Sequence, residues 1–350
     1  MDVADFDFDL PDELVAQEPP PMRGASRLLV LRRAAGVVAH TTFDRLGEHL
    51  RAGDLLITNN TRVFPARLIG TRVPSGGGVE CLLLSPQGNG RWEALMHPGQ
   101  KLREGARVLF ERDGVRIDGE VIDRHFFGRR TVKLWVEQPG IPLDEAIERV
   151  GHIPLPPYIK REDRPSDRER YQTVYARERG SVAAPTAGLH FTPELLADLG
   201  ARGIERVEVT LHVGYGTFKP VRVERVEDHE VDPERFTVSA EAADAINRAR
   251  AGDRRVIAVG TTTVRTLESL AFDERGEVQA ASGETRLFVY PGHQFRVVNG
   301  IVTNFHLPKS SLLMLVAAFG GRDAVLSAYR EAVERGYRFY SYGDAMLVLP

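Results

Sequence analysis

The change from strand to helix that decides the fold lies in Val256-Ile257-Ala258-Val259-Gly260-Thr261-Thr262-Thr263-Val264-Arg265-Thr266-Leu267-Glu268-Ser269. The β-branched run at its start is typical of a buried parallel strand, and the threonines after Gly260 predict a helix that runs to about Leu270. Turns of this kind lie at the edge of an α/β sheet, where such folds bind their ligands. The stretch therefore predicts an α/β protein with a ligand site at this turn.

The start of this predicted helix favours an anion. Its first N–H groups have no partner within the helix, Thr261 and Thr262 add hydroxyl groups, and Arg265 lies one turn further on. A guanidinium in that place can hold a carboxylate or a phosphate through two hydrogen bonds. The alternative is that the threonines only cap the helix and that Arg265 pairs with a surface acid. Neither a glycine-rich dinucleotide fingerprint nor a P-loop is present.

Two further polar stretches are predicted to follow strands in the same way, Ala183-Ala184-Pro185-Thr186-Ala187-Gly188-Leu189-His190-Phe191-Thr192 and Thr303-Asn304-Phe305-His306-Leu307-Pro308-Lys309. In the first, Thr192 is the predicted N-cap of a helix, which places His190 just before it. A lone histidine is more often structural than catalytic. The strand predicted at Val207 to Val213 ends in Gly214-Tyr215-Gly216-Thr217-Phe218, whose glycines indicate a close approach to a ligand or a tight turn.

The hydrophobic pattern changes along the chain. From about Arg67 to Val136, short alternating runs separated by glycine-rich turns predict an antiparallel β-barrel. Elsewhere strands alternate with helices that are predicted to begin near Thr192, Ser239, Thr263, Ser310 and Arg322. We therefore predict a discontinuous three-layer α/β domain, residues 1–64 and 150–350, with an inserted antiparallel β-barrel domain at residues 65–149. Asn60 and Arg62 then lie at the domain junction, a favoured place for ligands.

Composition excludes several classes of protein. The chain has 350 residues, 42% of them hydrophobic, which suffices for a large core and, by length, about two domains. The single cysteine, Cys81, excludes an intramolecular disulfide and cysteine-cluster metal sites. The ten histidines lack the helical spacing of metal ligands, so no metal is expected. No apolar run is long enough for a bilayer and the N-terminus is acidic, so we expect a cytoplasmic protein.

A net charge of −3 does not by itself indicate a nucleic-acid partner, so any RNA contact must use a local patch. One such patch is a loop near Tyr158 and Tyr171 that carries Lys160, Arg161 and Arg164. Cations mixed with aromatic rings suit phosphate contact and base stacking. The alternative is an ordinary solvated loop, because acidic residues such as Glu162 and Asp163 lie among the cations.

Several motifs occur in an order that spans the whole chain, namely Gly151 to Ile159, Tyr171 to Tyr175, Ala183 to Thr192, His212 to Phe218, Gly260 to Ser269, Thr303 to Pro308 and Ser341 to Met346. Together they resemble the S-adenosylmethionine:tRNA ribosyltransferase-isomerase family of queuosine biosynthesis. Glu234 matches the family as well. The chain departs from it at Val231-Asp232, where the family usually has Met-His, and at Thr263, where serine is commoner.

The resemblance implies an unusual use of S-adenosylmethionine as a consumed substrate, with no further cofactor. The family transfers the ribosyl part of this molecule to 7-aminomethyl-7-deazaguanine at the wobble position of tRNA with a GUN anticodon. It then isomerises the ribosyl group to give epoxyqueuosine, and adenine and methionine leave. A monomer is also implied.

This chemistry requires acid and base groups, because a proton must leave the ribose 5′ carbon beside the sulfonium and adenine must gain one. Within the matching motifs, the candidate catalytic residues are His190, His212, Glu234, Glu268, His306 and Asp344. The candidate substrate-binding residues are Asn60, Arg62, Tyr175, Thr186, Gly216, Thr217, Thr261, Thr262, Arg265, Asn304 and Tyr342. The individual steps stay unassigned. Alternatives for Glu268 and Asp344 are a salt bridge with an arginine and a turn residue, respectively.

Two other classes of function are open. A methyltransferase would also bind S-adenosylmethionine, but it should have a glycine-rich strand-to-helix loop and an acidic residue after the next strand, and neither is found. An RNA-binding module without catalysis would use the barrel and the basic loop. It would leave the three polar stretches without a purpose.

Overall fold

The structure, a computed structural model, describes residues 1–350 apart from the side chain of Phe218. Its strands are β1 (Arg27–Arg32), β2 (Gly36–Thr42), β3 (Leu55–Asn59), β4 (Thr61–Val63), β5 (Arg67–Val73), β6 (Gly78–Gly88), β7 (Arg91–His97), β8 (Arg107–Arg112), β9 (Val115–Arg124), β10 (Arg129–Trp135), β11 (Glu178–Ser181), β12 (Glu205–Leu211), β13 (Glu234–Val238), β14 (Val256–Val259), β15 (Ala281–Thr285), β16 (Gly300–Asn304) and β17 (Ala345–Leu349). Its α-helices are α1 (Leu143–Val150), α2 (Asp167–Arg170), α3 (Pro193–Ala201), α4 (Ala240–Ala251), α5 (Thr261–Glu268), α6 (Ser311–Gly320) and α7 (Arg322–Glu334).

Nine strands form one mixed sheet in the order β15-β13-β12-β3-β14-β16-β17-β1-β2. The central strands β12, β3, β14 and β16 are parallel, and Ile57 of β3 pairs with Val207 on one side and Ala258 on the other. The strands β3, β14 and β16 are buried along their whole length, as expected for strands covered on both faces. The carboxyl ends of these parallel strands therefore meet at one edge of the sheet.

Helices cover both faces of this sheet. Helices α4 to α7 pack on one face, where alternate residues such as Ile57 and Val256 enter a large apolar core. Helix α3 and the 3-10 helix Phe43–Glu48 pack on the other face, against residues such as Leu56 and Ile257. The predicted three-layer α/β architecture is confirmed.

A closed antiparallel barrel with the order β10-β7-β6-β5-β8-β9 is inserted into this chain, and helix α1 packs against its core. Gly70 is required in the barrel wall, because a Cβ atom there would lie 2.0 Å from the carbonyl oxygen of Leu109. The predicted antiparallel β-barrel is confirmed, and its strands lie within residues 65–149. All six barrel strands lie within the predicted range from about Arg67 to Val136.

The predicted helix starts are largely confirmed. Thr192, Ser239 and Ser310 each accept a hydrogen bond from the backbone N–H three residues later, as N-caps do. Helix α5 begins at Thr261, directly after Gly260, whose φ of 89° favours glycine. In the described chain no single helix is both long and apolar enough to cross a membrane; α6 and α7 meet that test only jointly, bent by 116°.

One expectation about the sheet is wrong. The stretch Ala183 to Thr192 does not follow an apolar strand, because β11 is polar, lies largely exposed at Glu178 and Arg179, and pairs only with β4 in a separate two-stranded sheet. The stretch then forms the 3-10 helix Thr186–His190, which leads into α3. The residues of this stretch therefore lie beside the edge of the large sheet without following one of its strands.

Candidate active site

Two adjoining cavities lie at the carboxyl ends of the parallel strands, and both are lined by Thr217 and Leu312. The first cavity is lined by Tyr158, Ala183, Ala184, Pro185, Thr186, Ala187, Val213, Thr217, Gly260, Thr261, Thr262, Thr303, Asn304, His306, Leu312, Tyr340 and Ser341. The second is lined by Gly216, Thr217, Lys219, His229, Glu230, Val231, Asp232, Glu234, Arg265, Leu287, Phe288, Val289, Ser311, Leu312 and Leu315. The three polar stretches of the sequence therefore meet here.

His306 lines the first cavity with one ring nitrogen unused. Its Nε2 atom lies 2.8 Å from the Thr303 hydroxyl, which itself donates to the carbonyl oxygen of Asn304. The hydroxyl hydrogen of Thr303 is used in that bond, so its oxygen can only accept from His306. Nε2 of His306 therefore carries the hydrogen and Nδ1 the lone pair. Among the described residues, Nδ1 has no partner. Burial lowers the pKa of His306 to about 3, so the ring is uncharged at neutral pH.

Asn304 stands between His306 and a second buried histidine. Its Nδ2 atom donates to the carbonyl oxygen of Tyr340 at 3.0 Å and to Nε2 of His190 at 3.1 Å. The orientation of the amide follows, since a carbonyl oxygen can only accept. The Oδ1 atom of Asn304 is thereby left buried without a partner in the described chain. A buried acceptor of this kind costs free energy until a donor reaches it.

His190 has both ring nitrogens occupied. Nε2 accepts from Asn304, and Nδ1 lies 2.9 Å from the hydroxyl of Ser26, so the hydrogen is on Nδ1. Burial and the positive charge of Arg23 lower the pKa of His190 to about 4. The ring also packs on Phe43 with 4.9 Å between centroids. His190 therefore fixes the orientation of Asn304 and offers no free lone pair to a ligand.

We predict that His190 makes the free energy of unfolding fall at acid pH. Folding holds the pKa of His190 near 4, below the about 6.5 of an unfolded chain, so the unfolded state binds more protons as pH falls. The free energy of unfolding is therefore unaffected by protonation of this residue above about pH 6.5. It falls progressively between pH 6.5 and pH 4, by on the order of 3 kcal/mol in total. Denaturant unfolding between neutral pH and about pH 4.5 should show a shallower loss in His190→Asn than in the wild type. An unchanged slope would contradict the prediction, and His125→Asn on the barrel serves as the control.

Arg265 and Glu234 form a buried ion pair in the second cavity. One terminal nitrogen of Arg265 donates to Oε2 of Glu234, and its Nε donates to the carbonyl oxygen of Leu287 at 2.8 Å. The other terminal nitrogen of Arg265 is buried and has no partner among the described residues. The guanidinium therefore keeps one donor arm for an incoming oxygen, as an anion site requires.

Glu234 also holds the segment between the two cavities. Its Oε1 atom accepts hydrogen bonds from the backbone N–H of Gly214 at 2.9 Å and from the hydroxyl of Thr217 at 3.2 Å. Together with Arg265, three donors occupy its two carboxylate oxygens. Glu234 is therefore a positioning residue that fixes Arg265 and Thr217 relative to each other.

Comparison with known proteins decides the family. The model of the Queuosine biosynthesis protein family matches residues 3–348. The chain belongs to this family. It is 52% identical over 349 residues to an S-adenosylmethionine:tRNA ribosyltransferase-isomerase of Heliobacterium modesticaldum, with 100% of each chain covered. It is 54% identical over 351 residues to the protein of the same name from Anaeromyxobacter sp., with 99% of each covered.

A solved structure with the same architecture comes from the same family. It is the crystal structure of S-adenosylmethionine tRNA ribosyltransferase from Thermotoga maritima, which is 38% identical to this chain, with a TM-score of 0.56. The similarity covers 99% of this chain and 100% of that chain. The family resemblance drawn from the motifs is thus confirmed.

In this member of the queuosine biosynthesis protein family, the cavities bring together many of the residues predicted from sequence. Thr186, Thr261, Thr262, Asn304 and His306 line the first cavity, Gly216, Glu234 and Arg265 the second, and Thr217 both. His190 lies behind Asn304. For Arg265, the alternative of a surface acid is wrong, because its partner is the buried Glu234. The anion site at Arg265 stays a prediction, and one arm of the guanidinium remains unused for it.

Asn60, Arg62 and His212 do not line the two cavities. Asn60 and His212 line another groove, where Asn60 donates to Glu208 at 3.2 Å and Nδ1 of His212 lies 2.9 Å from the hydroxyl of Thr61. Burial lowers the pKa of His212. Arg62 is exposed on β4.

Glu268 and Asp344 bind backbone groups. Glu268 accepts hydrogen bonds from the consecutive N–H groups of residues 296 to 298 at 2.8 to 3.0 Å, so the arginine salt bridge considered for it is not formed. Asp344 accepts from the N–H groups of Arg27 and Arg338, both at 2.8 Å, and burial raises its pKa. Both carboxylates connect chain segments and lie outside the cavity linings.

The two candidate tyrosines are also placed elsewhere. Tyr342 donates to Asp167 at 3.0 Å. The hydroxyl of Tyr175 is buried without a partner in the described chain, and burial raises its pKa. Gly188 packs on that hydroxyl so closely that an added Cβ atom would lie 2.3 Å from it. Tyr175 therefore supports the 3-10 helix of the first cavity from behind.

The predicted tRNA-binding loop is largely neutralised within the protein. Arg161 forms two hydrogen bonds with Asp167 and an ion pair with Glu18, and Arg164 pairs with the same Glu18 at 3.1 Å. Lys160 lies 3.5 Å from Asp12. These cations are therefore less available to phosphates than the sequence indicated, and their role in binding stays a prediction.

Sequence reasoning missed several residues that line the cavities. Ser341 lies in a matching motif but was not singled out, and His229 and Lys219 lie beside motifs. Tyr340 has a φ of 73°, which is uncommon for a bulky residue, and its carbonyl oxygen orients Asn304. Sequence alone offered no signal for Tyr340, because a strained backbone conformation is a property of the folded chain.

No group of three or more His, Cys, Asp or Glu side chains able to hold a metal ion is found among the described residues. That the reaction needs neither a metal nor a further cofactor stays a prediction.

Asp232 occupies a position where this chain departs from the family's usual sequence. Its carboxylate lies 2.6 Å from the ammonium of Lys219 and 3.3 Å from Arg129 of the barrel, which also pairs with Glu93. This network connects the barrel to the rim of the second cavity. We predict that Asp232→Asn lowers the free energy of unfolding by at most about 1 kcal/mol, because half-exposed ion pairs are screened. Denaturant titrations at low and high salt should show this difference shrinking with salt, and a loss that salt does not reduce would contradict it.

Proposed function

We propose that the chain transfers and isomerises the ribosyl moiety of S-adenosylmethionine onto 7-aminomethyl-7-deazaguanine at the tRNA wobble position. The products are epoxyqueuosine-tRNA, adenine and methionine. One observation carries the proposal beyond the names of the relatives: the two cavities hold complementary unsatisfied atoms. Asn304 contributes a buried acceptor to the first, and Arg265 a buried donor to the second.

S-adenosylmethionine matches this pair of atoms. Its adenosine part offers hydroxyl and amino donors for Oδ1 of Asn304, and its methionine part ends in a carboxylate for the unused arm of Arg265. Thr217 and Leu312 line both cavities, so the sulfonium between the two parts would lie near them. The apolar side chains of Leu287 and Leu315 suit the methylene groups of methionine.

Within this arrangement, His306 is the residue suited to accept the proton from the ribose 5′ carbon. It is uncharged and has a lone pair without a partner among the described residues, whereas both nitrogens of His190 are used. The hydroxyl groups of Thr186 and Thr261 line the same cavity and would bind the ribose or carry the proton to adenine, whereas the hydroxyl of Ser341 already bonds to that of Tyr158. Neither a metal nor another cofactor enters the proposal, which has the protein acting as a cytoplasmic monomer on tRNA with a GUN anticodon.

The test is to incubate the purified protein with S-adenosylmethionine and tRNA that carries 7-aminomethyl-7-deazaguanine. Adenine and methionine should appear in equal amounts, together with a wobble nucleoside of epoxyqueuosine mass. Methylated RNA with S-adenosylhomocysteine would instead indicate a methyltransferase. Tight binding of tRNA without any product would indicate an RNA-binding module.

A further inference from the structure

Two phenylalanines stand almost fully exposed at the tip of the barrel. Phe126 is 86% and Phe127 97% exposed in the turn between β9 and β10. Leaving a phenylalanine in water forgoes about 1.5 to 3 kcal/mol that burial would supply. Phe127 also has a φ of 55°, a left-handed conformation in which a bulky aromatic residue is an outlier. Neither residue contributes to the barrel core, so the fold does not explain them.

A groove leads from this tip toward the candidate active site. Phe127 and Gly128 line it on the barrel side, the segment from Pro154 to Glu162 lines the opposite side, and Tyr215 lies in its wall. Tyr215 directly precedes Gly216 and Thr217 of the cavities. The groove therefore extends from the barrel tip to the residue that directly precedes those lining the cavities.

Three cationic side chains on the segments beside the tip form no ion pair within the described chain. Arg124 lies in the same hairpin, and the turn with Lys101 and Arg103 is held beside it by Arg130, which donates to the carbonyl oxygens of Gly99 and Leu102. Within the described chain, no carboxylate lies within 4 Å of the cationic groups of Lys101, Arg103 or Arg124. This contrasts with the 160–164 loop, whose cations are paired internally.

We propose that Phe126 and Phe127 form a stacking platform for unpaired bases of the tRNA anticodon loop, with Lys101, Arg103 and Arg124 contacting the neighbouring phosphates. Exposed aromatic rings beside free cations are the elements by which proteins bind single-stranded RNA. Stacking is tolerant of sequence, so it suits loop bases that differ between tRNAs sharing the modified position. This inference rests on the proposed function, because that function places the anticodon loop at the cavities.

The experiment measures the binding of an anticodon stem-loop to the full chain. The double variant Phe126→Ala/Phe127→Ala should raise Kd by about 5- to 100-fold, and Phe127→Tyr should bind as the wild type does. Val38→Ala, an exposed apolar residue on β2, is the control and should leave Kd unchanged. Arg124→Gln should reduce the slope of log K against log salt by about 0.7.

A stem-loop with abasic nucleotides beside the wobble position identifies the contact. The wild type should bind this abasic stem-loop more weakly than the intact one. The double variant should bind the two stem-loops equally, since it lacks the rings on which the missing bases would stack. In turnover, the KM for tRNA should rise while the KM for S-adenosylmethionine and kcat stay constant. An unchanged Kd, or equal losses with the intact and the abasic loop, would overturn the proposal, as would a dimer that dissociates in the double variant.

Failure of this inference is distinguishable from failure of the proposed function. If the wild type releases adenine but the double variant keeps its KM for tRNA, only the stacking platform is wrong. If the wild type binds the stem-loop through the two phenylalanines but releases no adenine, the stacking platform is confirmed and the proposed reaction is wrong.

Discussion

Replacement of His306 by glutamine is expected to lower the rate of adenine release by about 10²- to 10⁴-fold, the range in which general bases contribute. The amide nitrogen of glutamine can still donate to Thr303, as Nε2 of the histidine does. What the variant lacks is the lone pair on Nδ1. The measurement is single-turnover adenine release with saturating S-adenosylmethionine and tRNA.

The buried environment of His306 explains why the ring can accept a proton at neutral pH and why its basicity is low. Burial keeps the pKa near 3, so the ring is uncharged and ready to accept a proton at neutral pH. The same low pKa limits the driving force for proton transfer, because a base works best when its pKa lies near the working pH. We therefore expect no loss of activity between pH 8 and about pH 5 that traces to protonation of this ring.

The control for His306 is the other buried histidine. His190→Gln removes a ring whose nitrogens are both occupied, so its effect should run through the orientation of Asn304 and appear largely in the KM for S-adenosylmethionine. If His306→Gln retains activity within about fivefold of wild type while His190→Gln loses it, the assignment of the base is wrong. A primary isotope effect with S-adenosylmethionine deuterated at the 5′ carbon would show whether proton removal limits the rate.

The local parts of this architecture could be predicted from the sequence. The β-branched run before Gly260 and the caps at Thr192 and Ser239 depend on neighbouring residues only, and the structure has them as expected. The barrel followed from alternation over about Arg67 to Val136, a range that contains all six of its strands. The alternation is weakest in β5, where the apolar Ile69 is exposed.

The partners within the candidate site could not be predicted in the same way. Arg265 and Glu234 are 31 residues apart and meet because β13 runs antiparallel to β12 at the end of the sheet. Asp344 was selected from a motif, yet its oxygens bind N–H groups of Arg27 and Arg338. A motif shows which residues belong together in sequence, whereas hydrogen-bond partners depend on the register of strands that are distant along the chain.

Replacement of Glu234 by alanine is expected to lower the free energy of unfolding by about 3 to 5 kcal/mol, because it leaves the Arg265 guanidinium buried without its counter-charge. The donors at Gly214 and Thr217 lose their acceptor as well. Denaturant unfolding of the whole chain measures this effect. The matched control is Glu80→Ala in the barrel, whose half-exposed pair with Arg67 should cost no more than about 1 kcal/mol.

The double variant Glu234→Ala/Arg265→Met separates charge burial from packing. Replacing both partners of a buried ion pair by apolar groups is often neutral, so the double variant should recover most of the stability that Glu234→Ala loses. It should not recover adenine release, because the proposed carboxylate site needs the free arm of Arg265. Recovery of both properties would show that the pair serves the fold alone. Recovery of stability without activity would show that the pair serves the reaction as well as the fold, through Arg265 itself or through the hold of Glu234 on Gly214 and Thr217.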